Sequence, residues 1–75
     1  MTILAKGHLG VTPSDTVDLR TLMPVVAISD GNVSILDQYD TIIQYTGVLA
    51  GTVLPVLAKR VRATGTTATL AALII

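Results

Sequence analysis

The sequence predicts an all-β fold, a small antiparallel β-barrel or sandwich, from three observations. Val, Ile and Thr supply 27 of the 75 residues, and side chains branched at Cβ lose rotamer freedom in a helix but pack well on a pleated sheet. Six short apolar runs are separated by clusters of Gly, Pro, Asp, Asn, Ser and Thr, the rhythm of strands and turns. The Asp30-Gly31-Asn32 cluster is the sharpest of these, a hairpin turn signal in which Asp-Gly suits positive backbone angles.

Length allows one domain, residues 1–75, with residues 1–11 as an extended arm. Scaling rules give a folded surface of about 4,400 Å² for 7.8 kDa and burial of about 60% of the unfolded surface, a marginal core. Chains of this size need a disulfide, a metal or a partner subunit. Cysteine is absent, and one His with five scattered Asp disfavours a structural metal, so oligomerisation is the expected supplement. Composition agrees: 51% hydrophobic and 13% charged residues is more apolar surface than a small monomer hides. A net charge of zero and a pI near 6.5 give no global field for nucleic acid or anionic membrane. The longest uncharged run, residues 41–58, is interrupted by Gln44, Gly47, Gly51 and Pro55 and is too broken to span a bilayer. A soluble, untargeted chain with no cofactor is expected.

In chain order, residues 1–11 carry Gly7 and Gly10 around His8, an arm expected to pair with a neighbour. His8 lacks a ligand or nucleophile partner in sequence and reads as an exposed or hydrogen-bonded histidine. Residues 12–18, TPSDTVD, form a turn through side chains that bond their own backbone. They lack the alternating acidic residues and closing Glu of a calcium loop. Residues 19–29 predict a strand buried on both faces, with Pro24 at the strand start or an edge because proline cannot donate to a ladder. Residues 33–36 are then expected to run back against it.

Residues 37–40, DQYD, make a second polar turn leading to a strand over 41–45. Val33, Ile35, Ile43 and Tyr45 are expected on the core side, with Ser34 and Gln44 facing away. Asp37 and Asp40 are the right residue type for an acid/base pair, yet nothing else in the chain supports a cleft, so a solvated turn is the reading and no enzyme is expected. Residues 46–51 connect to the longest β-favouring run, residues 52–62, where Pro55 predicts a bulge or an edge. One face of that run is expected in the core and the other at a partner. Leu54, Val56, Arg60 and Arg62, with Leu36 nearby, are the interface candidates. Lys59, Arg60 and Arg62 hold three of the five basic residues. Without stacking aromatics or basic excess they read as a solvated strand end paired with Asp, with contact to an acidic protein surface as the second reading, and nucleic acid is disfavoured. Residues 63–69, ATGTTAT, turn at Gly65, and residues 70–75 form a final apolar strand that must be paired.

TPSDTVDL at 12–19, DGNVSI at 30–35, AGTVLPV at 50–56, KRVRATGTTAT at 59–69 and AL at 72–73 together resemble the small spike-base family of phage-like gene transfer agents and tailed phages. The order and spacing match over about 60 of the 75 residues. The chain departs from that family at Val25, Val26, Ala27 and Ile28, where a Gly-rich lead is usual, and at Leu73, Ile74 and Ile75, where Tyr is usual. The resemblance implies a virion structural protein on the capsid exterior, a cement or the base ring of a head spike or fibre. It implies a homo-oligomer, trimer or pentamer, bound to the major capsid protein and in some cases to a spike or fibre protein, with no membrane partner. A tail or baseplate adaptor and a small nucleic-acid-binding β-barrel are the alternatives.

Overall fold

The structure, a computed structural model, describes residues 5–74. Six strands are formed: β1 (Gly7–Gly10), β2 (Val25–Ala27), β3 (Gly31–Leu36), β4 (Ile42–Val48), β5 (Arg60–Val61) and β6 (Leu70–Ile74). They build two three-stranded antiparallel sheets, ordered β1-β6-β2 and β4-β3-β5. No helix is present among these residues, so none crosses a membrane.

The core lies between the sheets. Met23, Val25 and Ala27 from one side meet Val33, Ile35 and Val61 from the other, joined by Leu54, Ala58, Leu70 and Ala72. Val33 and Ile35 are buried as expected, although β3 does not alternate, being buried from Val33 through Leu36, and register pairs Val33 and Ile35 with Tyr45 and Ile43. Tyr45 packs against the core, whereas Ile43 is half exposed. Ser34, expected outward, is buried, because residues 62–68 fold along β3 beyond the end of β5.

The way they do so replaces a strand with side chains. The Ser34 amide donates to Thr66 Oγ1 at 3.0 Å and the Asn32 amide to Thr67 Oγ1 at 2.8 Å. In return the Asn32 carbonyl accepts from the Thr67 and Ala68 amides, and the Ser34 carbonyl accepts from the Arg62 amide. Threonine hydroxyls thus satisfy backbone donors that a longer β5 would have paired.

Three sequence expectations are corrected. Gly7–Gly10 is extended, but it pairs within its own chain, Gly7 opposite Ile74 through Gly10 opposite Ala71, because β6 offers a full ladder edge nearby. Of the arm, residues 1–4 lie outside the described residues. The Asp30-Gly31-Asn32 turn does not return β3 against β2. It carries the chain from one sheet to the other, since the Ile28 amide donates to the Thr69 carbonyl and the Asn32 amide is held by Thr67. Gly31 sits at φ 156°, and an added Cβ would lie 2.8 Å from the Ala68 nitrogen and from Thr67 Oγ1.

The run 52–62 is not one strand. Its first part lies along β2, with the Ala27 amide donating to Thr52, the Leu54 amide to Val25, and Met23 and Ala58 exchanging both bonds. Pro55 interrupts it, having no amide to give, and a chain bend follows. Ala58, three residues beyond Pro55, still bonds to Met23, and only from Lys59 onward does the run pair with β3, through Arg60 and Val61. A single segment therefore bonds to both sheets and closes one side of a flattened barrel.

Candidate interaction surface

The basic cluster is held by the chain's own acids. Lys59 Nζ donates to Asp40 Oδ1 at 2.8 Å, and Arg60 Nε to Asp18 Oδ1 at 2.7 Å. A second nitrogen of Arg60 donates to the Asp15 carbonyl at 2.9 Å, while Arg62 Nε stands 3.8 Å from Asp15 Oδ1. Asp15 also accepts from the Thr64 amide and from Thr64 Oγ1, the latter at 2.6 Å. These bonds pull the Asp15 carboxyl below the ordinary aspartate value, the two Thr64 donors first and the Arg62 charge after them. Lys59 does the same to Asp40, and Asp40 in turn raises Lys59.

The turns that place these acids form as their residues dictate. Ser14 Oγ accepts from the Thr16 and Val17 amides, which orders the 12–18 segment. The segment then runs beside β5, its Ser14 amide donating to Val61 and its Leu19 amide to Lys59. Asp37 Oδ1 accepts from the Tyr39 and Thr41 amides, and Asp40 takes the left-handed conformation at φ 63°, which Asp tolerates better than most residues. Asp37 is thereby a turn-former and Asp40 an ion-pair partner, the solvated-turn reading of DQYD rather than an acid/base pair. Among the described residues no three His, Cys, Asp or Glu side chains are grouped to hold a metal. A shallow open depression of about 340 Å³ lies over Asp18, Leu19, Thr21, Leu22, Gln38 and Lys59.

The interface candidates are dispersed. Leu54 is 3% exposed and Leu36 7% exposed, so both side chains fill the chain's interior. Val56 is half buried against the core, and Arg60 and Arg62 are half buried in the ion pairs above. What the sequence did not single out is the outer edge of β4. This strand bonds only to β3 among the described residues, and it carries Ile42 at 49% and Ile43 at 51% exposure, with Tyr39 at 79% in the adjoining turn. The signal for it was present: residues 41–58 contain no charge at all, and a strand edge facing water usually carries one.

The Lys59, Arg60 and Arg62 cluster of this small β module is paired with the chain's own Asp residues, and apolar side chains stand along an edge that is open among the described residues. Such a chain is an assembly component by class. No protein-family model matches it, and neither does any curated protein. Among solved structures it is similar to a chain of the capsid of a native gene transfer agent particle, computed with C5 symmetry. The TM-score is 0.84 and the identity 38%, over 93% of this chain and 83% of that one. The chain belongs to the family of that gene transfer agent capsid chain and is a virion structural protein.

Proposed function

We propose that the chain is an accessory protein of the capsid exterior, a homo-oligomer seated on the major capsid protein as cement or as the base ring for a head spike or fibre. The observation that carries this is the 38% identity with a capsid chain over nearly the whole length, and the motif series at 12–19, 30–35, 50–56 and 59–69 points to the spike-base branch. That capsid was computed with C5 symmetry, and a fivefold axis accommodates a closed ring of five, which favours a pentamer over a trimer. Lys59, Arg60 and Arg62 each face an Asp of the same chain, which leaves little uncompensated charge for nucleic acid.

Quantitative mass spectrometry of purified particles tests the proposal. Copies in the tens to hundreds per particle are expected. A handful of copies would move the protein to the tail or baseplate, and none would end the reading.

A further inference from the structure

Among the described residues, each of the two sheets has one strand edge without a partner: that of β1 in the first and that of β4 in the second. β4 is seven residues long and uncharged. It also holds no Pro and only one Gly, Gly47, which sits at φ 70°. There the register of β3 and β4 slips by one residue, and Asn32 Oδ1 takes the Gly47 amide at 3.0 Å. That bulge closes off one end of the edge and leaves residues 42–46 as the regular stretch. A row of free N–H and C=O groups flanked by half-exposed Ile is a template for another strand.

From these two edges we infer that copies of this chain associate head to tail, the β4 edge of one copy taking the β1 edge of the next. The inference rests on the homo-oligomer proposed above and names its contact. A pairing of β4 with β4 would satisfy one edge per chain and leave every β1 open. Head-to-tail pairing uses both and, when its rotation closes, forms a ring without free edges. The four residues of β1 limit the paired stretch to roughly 14 Å at about 3.4 Å per residue. Set against the 20 Å least dimension of the chain, that offers roughly 280 Å² per partner. One such contact is too small for a stable interface by itself. A closed ring gives every chain two.

The absence of cysteine makes the test clean. His8→Cys on β1 is mixed under oxidising conditions with Ile42→Cys, Gln44→Cys or Thr46→Cys on β4, each prepared as a separate single variant. The expected product is a mixed disulfide between the two variants, strongest for one of the three β4 positions, since bridging requires Cα atoms within about 7 Å. Disulfides formed by a β4 variant with itself would overturn the head-to-tail arrangement. Absence of every cross-link while light scattering shows an oligomer would overturn the edge assignment. A monomer throughout would overturn this inference and the homo-oligomer together, and the particle composition above would still report on virion location. As a second measurement, Ile43→Lys should retain the circular dichroism of the parent while lowering its oligomer mass to that of a monomer. Unchanged mass would reject β4 as the edge.

Discussion

Thr66 and Thr67 do work that composition does not advertise. Their hydroxyls take backbone amides 32 and 35 residues away, and no local pattern links the two segments. Thr66→Val keeps the shape but leaves the part-buried Ser34 amide without a partner, a loss of about 1–3 kcal/mol. Thr66→Ser should restore most of it, both read as shifts in urea midpoint. Gly31→Ala is expected to be harsher than a surface change, about 2–3 kcal/mol. Its Cβ meets backbone that cannot swing aside, at 2.8 Å, and the φ of 156° is itself unfavourable for alanine. A fall in melting temperature checks it; a variant as stable as the parent would show that residues 67–68 can retreat.

At the scale of elements, the parts legible in the sequence were those set by neighbouring residues. The burial of Val33 and Ile35, the Ser14 and Asp37 turns and the placement of Pro24 just before β2 all follow from local chemistry. The parts that were not legible depend on which distant strand arrives. Asp30-Gly31-Asn32 specifies a sharp change of direction but not whether the next strand returns to the same sheet. Gly7–Gly10 carries too little apolar surface to declare its partner. In residues 52–62 both parities are apolar, so sequence alone does not separate the face offered to a partner, where Leu54 and Val56 are expected, from the one that enters the core; Leu54 and Ala58 are buried. Leu54→Ala should therefore lower stability by about 3 kcal/mol while leaving oligomer mass per folded chain unchanged, in contrast to Ile43→Lys. Loss of association by a folded Leu54→Ala protein would return that residue to the interface.

For the whole molecule, a solvent-accessible surface of 4513 Å² is close to the roughly 4,400 Å² expected of a compact chain this size. The apolar surplus is thus a matter of which residues line the surface rather than of loose packing. Acid sensitivity also belongs at this scale. Asp15 and Asp40 have depressed folded values, so their pairing stabilises the fold above the ordinary value of 3.8 and is lost as pH falls through the depressed values. Lys59 acts oppositely: its contribution is complete below 10.5 and disappears as pH rises through its elevated value. Both groups of ions are well solvated, so the effects are modest and weaken with salt. Denaturation midpoints between pH 5 and pH 2 should fall, with a shallower acid limb in Asp15→Asn; an identical limb would show that the Thr64 and Arg62 contacts do not persist in solution.

The segment from Gly51 to Val61 donates or accepts along β2 and then along β3, and this has a consequence for how the protein opens. Neither sheet can peel away while the other stays intact, because the same stretch of chain is stitched into both. Amide hydrogen exchange should accordingly show the Leu54 and Ala58 protons, held in the first sheet, and the Lys59 and Arg62 protons, held in the second, released by one common event at the global unfolding free energy. A virion structural protein gains from such cooperativity, which keeps half-open forms with bare strand edges scarce.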